Sequence, residues 1–293
     1  MTPTLVRRHR PVAGSAPRVD LEARARDWSE IQERMLVPLY EAVYERLDVG
    51  AGTRLLGLGC GSGLALLMAA ARGAAVTGVE SSSPERLAFA RERLRPAAAA
   101  PGTRAPAKAR LVEGSSDDAV PRDAAGPHDA AYTLVTAMDP VGCPAGDAEG
   151  LGGLLAAAAP LAERGAPVVL AGWGPPERCA TSSVLRVAAK LAQDPLRGGG
   201  TWRPALRDDL EVVAQRAGLR PDGSGRVACP FGYADVDSAV RGLLSTGLFD
   251  AAVGATDQEQ VDKELTEALH PHRRPDGTVW MPNVFRYLIA RIP

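Results

Sequence analysis

The segment that most constrains this chain is Thr53-Arg-Leu-Leu-Gly-Leu-Gly-Cys-Gly-Ser-Gly63, where an apolar run breaks into alternating glycines before a second apolar run. Five apolar-rich residues (54–58) behind a turn at 48–52 read as a buried strand, and the Leu/Ala run through residue 71 reads as a helix. Glycines at such a junction accept positive φ and, lacking Cβ, let a ligand lie against the backbone. A second strand follows over residues 75–80. A helix over 84–94 starts behind Ser81-Ser-Ser83, an N-capping run with Pro84 suited to the first helical position. The β-loop-α-β-α order predicts an α/β chain with a doubly wound, mostly parallel sheet and right-handed crossovers.

Further elements follow from patterning. Residues 1–19 combine Pro, Gly and Arg without periodicity and read as a flexible tail. Between 20 and 47, Trp28, Ile31, Met35, Leu39, Val43 and Leu47 recur at helical spacing, with Pro38 placed to kink or divide the segment. The Ala/Pro-rich stretch 96–109 reads as a surface connection. Strands are predicted at 109–113, 130–135 and 167–171, and a helix at 151–164. Residues 175–225 read as helical and irregular, 227–231 as a strand, and 236–248 and 259–269 as helices. Residues 283–291 alternate like an antiparallel edge strand.

Composition removes several function classes. The four cysteines, Cys60, Cys143, Cys179 and Cys229, form no C-x-x-C pair and have no histidine at ligand spacing, so neither a disulfide framework nor a metal site is expected. Net charge is −1, and the basic groups at 7–10 and 273–274 lack interleaved aromatics, so no nucleic-acid partner is expected. No apolar run is long enough to span a membrane, and the basic N-terminus lacks the apolar core of a signal peptide. The expected compartment is the cytoplasm.

Two ligand types exploit a glycine loop of this kind. A dinucleotide site wants G-x-G-x-x-G/A, but the residues five past Gly57, Gly59 and Gly61 are Ser62, Leu64 and Leu66, so that pattern fails in every register. What remains is Gly59-x-Gly61-x-Gly63, followed about 20 residues on by Glu80 at a strand end, where a carboxylate can accept from both ribose hydroxyls.

These residues resemble motif I of the class I S-adenosylmethionine-dependent methyltransferases. Asp27-Trp28 and the helix after them are similar to that family's N-terminal cover, and residues 111–117 to its adenine-facing segment. Residues 128–133, 166–174 and 283–291 are similar to its fourth, fifth and closing strands. The resemblance implies a seven-stranded Rossmann-like sheet in one domain over 20–293, with cover helices at 20–48 and lid insertions within 175–280. It implies S-adenosylmethionine as cofactor and S-adenosylhomocysteine as product. The residues implied to bind them are Gly59, Cys60, Gly61, Gly63, Glu80, Ser81, Ser115, Ser116, Asp117 and Thr133. The implied activity is in-line methyl transfer to a small-molecule acceptor, as in bacterial secondary metabolism.

Two positions depart from the family pattern. Gly57 stands where an acid usually helps to hold the methionine ammonium, and Ser115 where an Asp often meets the adenine amino group. Ser115, Ser116 or Asp117 can substitute for the second, and Glu30 or Glu33 on the cover helix for the first. The vacancy at Gly57 also suits a chain that keeps the fold for non-methylating catalysis, such as cyclisation, or holds the cofactor as structure.

Trp28, Tyr40, Asp139 and Trp173 are candidates to line the substrate cavity, with core packing (for Asp139, a turn) as the alternative. His128, His270 and His272 read as loop or strand residues without a catalytic role, and no general base is identified. The apolar N-terminal helix is a candidate contact for a second copy of the chain.

Overall fold

The computed structural model describes residues 20–95, 109–119, 132–143, 148–192 and 209–293. The expected tail, residues 96–108 of the expected 96–109 connection and His128 lie outside these residues. Asp20 caps α1 (Leu21–Asp27) by accepting from the amides of Glu22 and Ala23. A π-turn, Trp28–Gln32, and a 3-10 turn, Glu33–Leu36, then lead into α2 (Val37–Arg46). Pro38 divides the segment by occupying the first turn of α2, where a missing N–H costs nothing.

The glycine loop links β1 (Arg54–Leu58) to α3 (Leu64–Ala71), and β2 (Ala75–Glu80) leads into α4 (Pro84–Arg93). The Ser83 hydroxyl caps α4 by accepting from the Arg86 amide at 3.2 Å. Next come β3 (Ala109–Glu113), β4 (Leu134–Val141), α5 (Glu149–Ala158), β5 (Pro167–Trp173), α6 (Thr181–Ala192) and α7 (Asp209–Arg216). The remainder is β6 (Arg220–Ala228), β7 (Phe231–Tyr233), α8 (Val236–Ser245), α9 (Asp250–Ala255), α10 (Gln258–Leu269), β8 (Val279–Met281) and β9 (Val284–Arg291).

The main sheet has seven strands in the order β3-β2-β1-β4-β5-β9-β6. The first five are parallel, and β9 runs antiparallel to both neighbours. The chain winds outward from β1 through β2 to β3, then returns to β4 on the other side of β1. The sequence order therefore reverses between β1 and β4, and the carboxyl ends of those strands open a crevice. Successive residues of β1 feed opposite faces: Leu55 packs in the core with Leu39, Leu66 and Phe285, and Leu56 in the core with Val135, Leu155 and Leu170. β7 and β8 form a separate antiparallel pair.

Three expectations change. The fourth strand begins at Leu134 and runs through Asp139-Pro140, bulging between Ala137 and Val141, so that dipeptide is the end of a strand rather than a turn after it. The strand expected at 227–231 is two strands, since β6 starts at Arg220, inside the region read as irregular. Residues 284–291 form an interior strand, because β6 pairs along the free side of β9 and becomes the edge.

Candidate functional site

All three loop glycines hold left-handed φ: Gly59 at 59°, Gly61 at 55° and Gly63 at 80°. Their surroundings differ. A Cβ on Gly63 would lie 2.8 Å from Ala90 Cβ, so this glycine lets α3 start against α4. A Cβ on Gly59 would meet nothing within 4 Å, because Gly59 opens onto a cavity. That cavity, about 400 Å³, lies over the carboxyl ends of β1, β2, β4 and β5. A smaller one of about 60 Å³ adjoins it, with Trp28, Glu33, Tyr40 and Cys60 in its wall.

Glu80 ends β2 and is buried beside the loop. One carboxylate oxygen accepts from the Gly61 amide at 2.9 Å, and the other from the Ser82 amide at 2.8 Å and hydroxyl at 2.5 Å. Glu80 and Ser81 both line the large cavity. Cys60 donates its amide to the Val79 carbonyl, and its thiol pKa is pushed up to about 12, first by burial and then by the Glu80 and Glu33 carboxylates. Such a thiol stays protonated at neutral pH, which fits a packing role.

The other expected residues divide. Trp28, Asp139 and Trp173 line the large cavity, and Tyr40 lines the small one. Burial, then Glu33 and Asp139, hold the Tyr40 hydroxyl well above its ordinary pKa. Trp173 packs at 4.7 Å from Phe285 and 6.0 Å from Phe231, ring centre to ring centre, giving the cavity an aromatic wall. Ser115 lines neither cavity. Its amide and hydroxyl both donate to Asp118, at 2.9 and 3.2 Å, closing the turn that Ser116 and Asp117 continue.

Thr133 requires correction. Its hydroxyl accepts from the Arg54 amide at 2.9 Å, at the amino end of β1, the end of the sheet opposite the glycine loop. The fourth strand starts later than expected, so Ala137 and Asp139 occupy the cavity side instead.

Several site residues escaped the sequence reading. Arg86 on α4 lines the small cavity, places its guanidinium 4.1 Å over the Trp28 ring and donates to the Ser245 carbonyl at 2.7 Å. Glu33, weighed only as a substitute acid, is buried and paired with Arg93, which also donates to the Ser29 carbonyl at 2.6 Å. Phe231, Phe285 and Leu248 add apolar wall. The i+7 spacing of Arg86 and Arg93 on α4 is the one local signal that pointed to a shared face toward the loop.

Among the described residues, Trp28 Nε1 is the buried side-chain polar atom left without a hydrogen-bond partner. Leaving a buried donor unpaired costs about 1–3 kcal/mol. Its position on the cavity wall makes a ligand atom the natural acceptor. No cluster of possible metal ligands occurs among the described residues, and none of their helices is long and apolar enough to cross a membrane.

No protein-family model and no curated relative matches the sequence. Among solved structures the chain is similar to a provisionally named methyltransferase from Bacillus halodurans C-125. That protein is 13% identical with a TM-score of 0.50, the match covering 87% of this chain and 98% of the other. It is also similar to an S-adenosylmethionine-dependent methyltransferase from Geobacter sulfurreducens in complex with S-adenosylhomocysteine, 17% identical with a TM-score of 0.46, covering 92% and 98%. At such identities the likeness concerns the fold. The chain is a Rossmann-like α/β protein with a mostly parallel seven-stranded sheet, the fold it shares with the Bacillus halodurans structure.

Proposed function

We propose that this chain is an S-adenosylmethionine-dependent methyltransferase acting on a small-molecule acceptor. The observation that carries the reading is the meeting of Gly59, open to the cavity at positive φ, with the buried carboxylate of Glu80 where the strand order reverses. Gly59 lets the ligand lie against bare backbone, and Glu80 is placed to accept from the two ribose hydroxyls. Ser81 borders the same space. The indole N–H of Trp28 awaits an acceptor there, so the residues present fit the cofactor.

When bound, the cofactor supplies a methyl group already activated on a sulfonium. The protein's share is to align the acceptor with that methyl and to exclude water. The aromatic wall of Trp173, Phe231 and Phe285 suits a flat apolar acceptor, which shares the cavity of about 400 Å³ with the cofactor. Asp139, exposed at the mouth, is the carboxylate best placed to take a proton where the acceptor carries one. Residues 20–48 act as a cover and parts of 175–280 as a lid over one domain. Tyr233 supports this, donating to Gln32 at 2.8 Å, as do the ion pairs Arg24–Asp250 and Arg241–Asp27.

A second reading, the same fold used for non-methylating catalysis, is favoured by Gly57. A Cβ there would lie 2.9 Å from Leu66 Cδ2, so packing occupies the place of an acid. Calorimetric titration with S-adenosylmethionine, S-adenosylhomocysteine and NAD(H) tests both readings. Micromolar binding of the first two alone is expected, and no adenosyl binding would end both. Transfer of labelled methyl into candidate acceptors then separates them.

A further inference from the structure

The π-turn of the cover segment closes with the Glu33 amide donating to the Trp28 carbonyl, five residues back. In an α-helix residues five apart lie about 140° apart around the axis; the wider π-turn brings them toward one face. Both side chains turn onto the glycine loop. A Cβ on Gly61 would lie 3.5 Å from Trp28 Nε1 and 3.9 Å from Glu33 Oε1. These are ordinary contact distances, so the hydrogen-only face of Gly61 leaves room for a small group between a donor and an acid.

Neither polar atom is saturated. Trp28 is 7% exposed and its Nε1 has no acceptor. Glu33 is 2% exposed, with Oε2 held by the Ser62 hydroxyl at 2.5 Å and by Arg93. Its Oε1 accepts one long bond, 3.3 Å, from the Leu64 amide. A carboxylate oxygen has about two acceptor sites, so Oε1 keeps one facing the loop. Glu30, the other acid of this turn, is exposed and lines neither cavity.

A vacant N–H donor and a spare carboxylate lone pair converging on one point complement a group bearing an acceptor and a cationic donor on the same carbon. We propose that Trp28 and Glu33 receive the amino-acid end of the ligand, its α-carboxylate on Trp28 Nε1 and its α-ammonium on Glu33 Oε1. Arg93 fixes Glu33 from behind. This rests on the adenosyl reading above, in which Glu80 holds the sugar on the same loop. It also accounts for a packed glycine at position 57, since the acid comes from the cover segment instead.

The test is calorimetry with three probes. These are S-adenosylhomocysteine, its analogue S-adenosyl-4-thiobutyrate without the ammonium, and 5′-methylthioadenosine without the amino-acid tail. In the wild-type protein, losing the ammonium is expected to weaken binding about tenfold to a hundredfold, the span of a charge-assisted hydrogen bond. Glu33→Gln should weaken S-adenosylhomocysteine by a similar factor and leave the two truncated probes unchanged. Trp28→Phe keeps an aromatic ring, removes the donor, and should weaken S-adenosylhomocysteine several-fold without touching 5′-methylthioadenosine. Should Glu33→Gln fail to fold, the wild-type comparison and Trp28→Phe decide the matter. Equal wild-type affinity for S-adenosylhomocysteine and the thiobutyrate analogue overturns the proposal, as does a Trp28→Phe protein that loses both ligands alike. A wild-type protein that binds neither S-adenosylhomocysteine nor 5′-methylthioadenosine overturns the adenosyl reading itself.

Discussion

Glu80 Oε2 accepts the Gly61 amide at 2.9 Å across the gap between β2 and the glycine loop. Its other oxygen holds Ser82 by both amide and hydroxyl, so one carboxylate sets the loop and the adjoining crossover together. Glu80→Gln keeps the volume but turns an NH₂ group toward an N–H donor. Folded-state stability is expected to fall by about 1.5–3 kcal/mol, the range for bonds to a charged group. Affinity for S-adenosylhomocysteine should fall at least about tenfold with it. Denaturant unfolding and calorimetry read the two effects separately, and unchanged affinity would place the sugar away from Glu80.

Gly63 and Gly59 share a left-handed backbone but not a neighbourhood, and their alanine variants should therefore part. Either substitution carries the left-handed strain of an L-residue, about 1–2 kcal/mol. Gly63→Ala also drives a methyl to within 2.8 Å of Ala90 Cβ, adding an overpacking cost of about 1–3 kcal/mol. Gly59→Ala meets no atom within 4 Å, so its stability loss should stay near the strain alone while ligand affinity drops. Equal unfolding midpoints for the two variants would contradict the packing of α3 on α4 described above.

The parts of the molecule visible in sequence are those whose cause is local. Residues 54–58 and 75–80 read correctly as strands because buried parallel strands are short apolar runs between turn residues. The loop and Glu80 were legible for the same reason. The bulge in β4 was not, because Asp139-Pro140 reads as a turn until β5 is present to pair with Val141. β6 carries a proline and two glycines and looks like a loop; its order comes from pairing with β9, about 65 residues later. The aromatic wall draws Trp173, Phe231 and Phe285 from three separate strands. The burial of Glu33 depends on Arg93, 60 residues away. No window along the chain contains either relationship.

Two arginine–carboxylate pairs predict opposite results. Arg241 meets Asp27 at 2.6 Å with its side chain 56% exposed, so Arg241→Ala is expected to cost less than about 1 kcal/mol. Arg93 compensates a buried Glu33 and also bonds Ser29 and Ser62. Arg93→Met strands that carboxylate, which should cost about 3–5 kcal/mol. Urea unfolding of both variants measures the contrast, and similar losses would mean that Glu33 finds another partner when Arg93 is gone.

Alkaline pH should loosen this fold through groups that burial keeps protonated. Desolvation raises the Tyr40, Tyr44 and Tyr233 hydroxyls and pushes the Cys60 and Cys229 thiols up to about 12. Well below the ordinary thiol value of 9 these groups are protonated whether the chain is folded or not, so they make stability neither rise nor fall. Between 9 and about 12 the unfolded chain releases thiol protons that the folded chain retains, and unfolding becomes easier as pH rises. A fully buried thiol such as Cys229 contributes a slope on the order of 1 kcal/mol per pH unit in that window. Urea midpoints should therefore be level from pH 7.5 to 8.5 and decline from 9 upward, with a shallower decline in Cys229→Ala. A midpoint that holds steady through pH 10.5 would mean that these groups ionise without opening the core.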